Sequence, residues 1–347
     1  MNLINSLQIF LITYNRKKYL QRTFDQIFAD NSPIKDFDIT ILNNKSDDGT
    51  SEMIEQYREK FPNIKHIIHN HNIGGNANIV RSFELANKEY VWVLCDDDIY
   101  DWANWKEVES AIYRQEDIIC VSRYAIDDGV SLESQILQLT FVPAGIFKRS
   151  ILNNGMIKSM YDQIYAFFPH LVPTIFTINN KNKIYVLGKA VVYNGMELKN
   201  TDCSYTRGSS LECLSYRTKG MSWIVAYANL CSMIKDIKLK YNTMTYAIKY
   251  IHGSFKQFLK DMVYLYLDEQ NWMHFWDIYW QLNAKNRFKL LTFFIFKMFF
   301  SMHATHNNFF VIRFFGIKIK FNKYYENGFT VVNFFGIKIK KQRKTDK

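Results

Sequence analysis

Three consecutive carboxylates, Asp96, Asp97 and Asp98, follow the apolar run YVWVL (90–94) in the segment LCDDDIY. Like charges this close at the end of a buried strand need a positive group beside them. Adjacent oxygen ligands suit a hard divalent cation, Mg2+ or Mn2+, which is commonly held by one or two carboxylates and by the phosphates of a bound ligand. The metal would then offset both the carboxylates and a diphosphate. Three further polar clusters could share the ligand: TYNR (13–16), NNKSDDGT (43–50) and NHNIGGNAN (70–78). In the last of these, Asn72, Gly75 and Asn76 lie where a helical pattern opens, and free amides there accept anionic or polar groups. The cluster lacks GxxxxGKS and GxGxxG, so neither a P-loop nor a dinucleotide fingerprint is present.

The clusters need a frame that brings them together. Short β-branched runs alternate with longer periodic ones over the first 120 residues, the rhythm of a mostly parallel sheet flanked by helices. The pattern predicts strands at 8–13, 38–42, 64–69, 90–94 and 117–122, and helices at 17–28, 51–60, 76–87 and 104–114, with Asp48 and Thr50 as caps for the second helix. All four clusters then fall at the carboxyl ends of strands, where α/β sheets bind ligands. Turns are rich in Asn, Asp and Gly in any fold, but four on one rim indicate a crevice.

Arranged in this order, the clusters resemble family 2 glycosyltransferases over about residues 7–125. The family's opening strand and YNR appear as LITYNR, its second-strand acid signature as LNNKSDDGT, its NxG segment loosely as NIGGNANIV, and its metal-binding DxD motif as CDDD. The resemblance implies a GT-A fold and inverting transfer of a sugar from a nucleotide-diphospho-sugar, a UDP-sugar above all, with Mn2+ or Mg2+ as cofactor. It implies a nucleotide pocket lined by Thr13, Tyr14 and Arg16. Asn43 stands where many members use an Asp to recognise uracil, and Asp48 falls on the second acid of the loop around the base. Cys95 replaces the first carboxylate of the DxD run. Asp97 then aligns with the last metal-binding Asp, Asp98 is a second metal ligand, and Asp96 faces the ribose or a metal-bound water.

Inverting transfer needs a base for the acceptor hydroxyl. Asp162 in SMYDQIY is the best placed candidate, with Asp127 and Asp128 as competitors. His170, in the apolar setting FFPHLVP, either touches diphosphate or acceptor or is a core histidine. Arg207 and Arg217 either clamp phosphate or are surface charges.

The chain has 347 residues, 48% hydrophobic, and a formal charge of +11 that is concentrated after Lys235. Such a basic, aromatic end is suited to an anionic membrane surface, and together with the family resemblance it implies a glycan or lipid-linked glycan acceptor there, as in surface polysaccharide synthesis. A nucleic-acid-binding protein would not place a carboxylate cluster in its cleft, and nucleotidyl transfer would require a Gly-rich basic loop after the first strand. A degenerate transferase domain acting as a partner or scaffold stays open because of Asn43 and Cys95. Five cysteines without CxxC spacing indicate neither a disulfide scaffold nor a zinc site and fit the cytoplasm. The amino terminus does not resemble a signal peptide. KLLTFFIFKMFF (289–300) is too short to span a bilayer but could lie on one or pair with a second copy.

Three regions are expected: a catalytic domain over 1–210, a helical subdomain over 211–305 and a basic ribbon over 306–347. Segments 141–154 and 159–176 read as helices and 183–194 as a strand. In the tail RFFGIKIKF (313–321) recurs as NFFGIKIKK (333–341), and the Ile/Lys alternation reads as two paired strands.

Overall fold

Leu7, Ile9 and Leu11 alternate with Phe10 and Ile12 along the first strand, and all are buried. A strand apolar on both faces must be covered on both, and helices on either side do this. The computed structural model describes residues 3–123, 131–195, 219–263, 266, 274–304, 309–314, 317–326, 329–334 and 337–342. After a short opening helix α1 (Leu3–Ser6), strands β1 (Leu7–Thr13), β2 (Ile39–Asn43), β3 (Ile64–Ile68) and β4 (Tyr90–Cys95) alternate with α2 (Lys17–Ile27), α3 (Thr50–Lys60) and α4 (Gly75–Leu85). These four strands are parallel in the order β3-β2-β1-β4.

β5 (Ile99–Tyr100), α5 (Trp105–Tyr113), β6 (Ile118–Cys120), α6 (Leu132–Gln138), β7 (Gly145–Lys148), α7 (Asn154–Asp162), α8 (Val172–Asn179), β8 (Ile184–Val186) and β9 (Val192–Tyr193) follow. β7 pairs antiparallel with both β4 and β6, β8 continues parallel to β6, and the seven-stranded sheet reads β3-β2-β1-β4-β7-β6-β8. β5 and β9 form a separate two-stranded ribbon. Leu20, Phe24, Met53, Ile54, Val108 and Ile112 from α2, α3 and α5 share one core cluster with Leu7, Ile9, Leu11, Ile39 and Trp92. On α4, Phe83 packs edge-on against Phe147 of β7 at 5.3 Å.

The expected helix over 141–154 is instead the strand β7 between short 3₁₀ turns. A short apolar run has no periodicity that separates helix from strand. The surroundings decide it here, because an unfilled place beside β4 takes the run and Trp92 Nε1 donates to the Pro143 carbonyl at 2.8 Å. Segment 159–176 is broken between α7 and α8 by 3₁₀ turns, with Phe167 at φ 61°.

The chain divides into two compact units, Met1–Tyr250 and Ile251–Lys347. The first contains the sheet, helix α9 (Lys219–Met233) and most of α10 (Ile237–His252). The division falls near the end of α10. The second contains α11 (Phe255–Val263), α12 (Phe275–Trp280), α13 (Ala284–Phe299) and strands β10 (Phe300–Ala304), β11 (Phe309–Phe314), β12 (Ile317–Glu326), β13 (Phe329–Phe334) and β14 (Ile337–Gln342). Its helices pack through Tyr266, Phe275 and Phe294, with ring centroids 5.0 to 6.4 Å apart. The tail is a five-stranded antiparallel meander, not two strands. Each copy of the repeat runs through a hairpin, with Phe314 opposite Ile317 in the first and Phe334 opposite Ile337 in the second.

Candidate functional site

The parallel register of β1 and β4 sets Ile12 opposite Cys95, so Thr13 and Asp96 follow side by side. Thr13 Oγ1 donates to Asp96 Oδ2 at 2.7 Å. The loop after β1 brings Arg16 over the same point, 3.1 Å from Asp96 Oδ1 through one terminal nitrogen and 2.6 Å from Asp97 Oδ2 through the other. Tyr19 lies under the guanidinium, 4.4 Å to its ring centroid, and Tyr14 is half-buried at the same turn. Arg16 therefore provides the positive charge that the adjacent carboxylates require.

One cation does not neutralise three acids under burial. Asp96 is fully buried, and its carboxyl is pushed up to about 7 by that burial, against the opposing pull of Arg16 and with Asp97 adding to the rise. Asp98 is driven well above the usual carboxylate range by burial and then by Asp97 and Asp96, although the Gly195 amide donates to it. Its Oδ2 has no hydrogen-bond partner among the described residues. Asp97 reaches the surface, with 14% of its side chain exposed. Gly195 must be a glycine, since a Cβ there would lie 1.9 Å from the Asp97 carbonyl oxygen. Gln26 of α2 fixes the other side of the turn, donating to the Asp98 carbonyl at 3.1 Å and accepting from the Tyr100 amide at 3.0 Å. Neither residue stands out in the sequence, because a lone Gly and a helical Gln have no local signature.

Around β2 and β3 the polar groups are bonded to one another. Asn43 is buried; its Oδ1 accepts from the Ser46 amide and its Nδ2 donates to Ser51 Oγ, both at 2.9 Å. The amide expected to face a nucleobase is thus used in shaping its own loop. Asp48 accepts from the Lys17 amide at 3.0 Å and from the Thr50 amide at 3.1 Å, tying the starts of α2 and α3 together. Burial would raise this carboxyl, but the Thr50 and Lys17 hydrogen bonds outweigh it and hold it below the ordinary value. Asn44 joins the β2 and β3 loops, donating to Asn72 Oδ1 at 2.7 Å and accepting from the Ile73 amide at 2.9 Å. Gly74 precedes Gly75 at φ 86°, a conformation suited to glycine. At the start of α4, Asn76 donates to the Ile164 carbonyl at 2.6 Å.

Asp162 ends α7, paired with Lys158 one turn back at 2.9 Å and 59% exposed. It has no hydrogen bond to the rim residues; the Asn76–Ile164 bond lies two positions further along the chain. His170 is buried, its Nε2 donating to the carbonyls of Leu139 and Thr140 at 3.0 and 3.2 Å, and burial pushes its ring down to about 4 despite those carbonyls. It is a neutral core histidine, not a rim residue, because the 3₁₀ turn at Pro169–Leu171 aims it inward. Asp127, Asp128, Arg207 and Arg217 lie outside the described residues.

Two clefts of about 350 Å³ near Asn104 and Lys189 are not lined by Asp96, Asp97 or Asp98. The carboxylate there, Glu107, is taken up by Asn104, Tyr185 and the Gly188 amide.

Residues 8–198, more than half of the chain, match the family described as Glycosyl transferase family 2. The chain belongs to glycosyltransferase family 2. The abequosyltransferase RfbV of Salmonella typhimurium is 34% identical over 113 residues, 32% of this chain and 34% of that protein. The poly(ribitol-phosphate) beta-glucosyltransferase of Bacillus spizizenii is 21% identical over 204 residues, 53% of this chain and 32% of its own. The family 2 chain thus spans about a third of the length of these curated relatives. Among solved structures, S. aureus TarS 1-349 in complex with UDP superposes with a TM-score of 0.55 at 15% identity, covering 91% of this chain and 98% of that one. At that identity the likeness is one of fold, a GT-A-type sheet flanked by helices.

Proposed function

We propose that this protein transfers a sugar from a nucleotide-diphospho-sugar, a UDP-sugar above all, to a hydroxyl of a glycan or lipid-linked glycan, with inversion, in the synthesis of a surface polysaccharide. The observation that carries this reading is the Thr13–Arg16–Asp96–Asp97 cluster at the paired ends of β1 and β4, beside an acid with an unsatisfied oxygen. The sugars and polymers in the relatives' names support the substrate class.

In this reading Thr13, Tyr14 and Arg16 line the nucleotide pocket, with Asn72, Gly75 and Asn76 along its rim. Asn43 and Asp48 shape the loop around the base from behind, and Asp96 orients Arg16 and faces the ribose. Among the described residues no group of three or more His, Cys, Asp or Glu is disposed to hold a metal ion. Asp97 and Asp98 nevertheless fit Mn2+ or Mg2+, since the buried Oδ2 of Asp98 is unpartnered beside a surface carboxylate and such a cation completes its shell with phosphate oxygens. Bound there, it would supply positive charge to the departing diphosphate. Arg16, already held in a fork, can present its guanidinium to the same anion. Asp162 takes the acceptor proton in this reading, and the Asn76–Ile164 bond ties the segment that follows it to the start of α4.

A melting-temperature screen with UDP-, GDP-, dTDP- and CMP-sugars, with and without Mn2+, tests the reading. Metal-dependent stabilisation by one nucleotide class is expected. Stabilisation by none would favour a non-catalytic domain, for which Asn43 and Cys95 already speak. In a transfer assay with the donor so found, an unchanged rate and pH profile for Asp162→Asn would move the base elsewhere.

A further inference from the structure

The second unit, Ile251–Lys347, has sixteen Lys and Arg against six Asp and Glu, a formal charge of +10 out of the chain's +11. Within it α13 is apolar on two sides. Leu290 and Phe294 are buried against the unit's own core. At helical spacing the adjoining arc holds Met298, Leu291, Ile295 and Phe288, all exposed, Phe288 to 69%. Lys285 and Lys289 lie on the exposed side next to this arc. From α12, Trp276 and Trp280 are more than half exposed and stacked with centroids 6.4 Å apart, and Arg287 of α13 lies 5.4 Å from the Trp280 ring.

A helix apolar on its free side, bordered by lysines and joined by exposed tryptophans, has the composition of an interfacial helix. Among the described residues no helix is long and apolar enough to cross a membrane. A second copy of this chain would bring the same +10 against itself, whereas an anionic lipid surface complements it. We propose that the α12–α13 face is a membrane-docking surface that lies in the headgroup region of an anionic bilayer, with Phe288, Leu291 and Ile295 inserted, Trp276 and Trp280 at the interface, and Lys285 and Lys289 over the headgroups. This assignment is independent of the transferase reading, since it needs neither donor nor acceptor.

Co-sedimentation of the full chain with phosphatidylcholine vesicles, with and without phosphatidylglycerol, tests it. Binding to the anionic vesicles alone is expected, weakening with salt. Lys285→Gln/Lys289→Gln should lower the partition coefficient roughly 30-fold, and Phe288→Ser/Ile295→Ser at least about tenfold. Trp276→Phe/Trp280→Phe should remove the vesicle-induced blue shift of the fluorescence. The replaced side chains are exposed, so unchanged melting curves serve as the folding control. The proposal is overturned if neither vesicle binds, if both bind equally, if the Phe288/Ile295 variant binds like the parent, or if light scattering shows a dimer that this variant dissolves.

Discussion

The two halves of the sheet's rim are equally polar and differ in what they leave unfinished. Around β2 and β3, Asn43, Asn44, Asp48 and Asn78 find partners within the chain. Around β1 and β4, one guanidinium bridges Asp96 and Asp97, and a buried oxygen of the third acid, Asp98, stays unpartnered among the described residues. Density of Asn, Asp and Gly on a rim therefore does not locate a ligand. The imbalance of charge and hydrogen bonds does, because a buried group without a partner costs free energy that a ligand can recover.

Breaking the β1–β4 half should have the largest effect. Arg16→Met leaves Asp96 buried without its cation and should cost about 3–5 kcal/mol above neutral pH, where the carboxyl must be ionised, and less below it, where the carboxyl takes up a proton. Urea unfolding at two pH values checks this, and a loss below 1 kcal/mol would mean that the acids do not depend on Arg16.

In the β2–β3 half, Asn44→Ala removes a link between loops that is complete without ligand. A loss of about 1–3 kcal/mol is expected, with nucleotide-dependent stabilisation retained. If nucleotide binding vanished while stability held, the two halves would not be distinct in the way described.

His170 separates core from rim by pH. Its folded pKa, about 4, lies below the ordinary value of 6.5. The neutral ring therefore contributes stability that is present above about 6.5 and lost as pH falls towards 4. His170→Gln should flatten that slope, on the order of 3 kcal/mol across the window, without altering nucleotide binding at pH 7. Fluorescence-monitored unfolding across the window measures it.

Much of the frame was legible in the sequence. The strands and helices over residues 7–113 lie within about two residues of where the apolar periodicity sets them, since each is long enough to show its period. β7 was not legible: four residues, GIFK, become a strand only because of the neighbours on either side. Nor was the inward turn of His170, which 3₁₀ geometry sets. The acid turn was legible as an electrostatic problem, but its solution was not. By its motifs the sequence offers TYNR as pocket lining and a metal as the counter-charge, whereas the strand order β2-β1-β4 carries Arg16 to the carboxylates. Strand order could have pointed to that pair. The bonds that take up Asn43 could not be foreseen, because they depend on how the 43–51 loop closes.

Sugar transfer by Asp97→Ala, measured against the parent protein with the donor identified by the screen and with Mn2+ present, bears most directly on the site. Asp97 is the least buried of the three acids, so removing it should leave the melting curve close to the parent's while transfer falls to background. Full metal-dependent transfer by the variant would contradict the assignment of the β1–β4 acid turn as the place where the diphosphate departs.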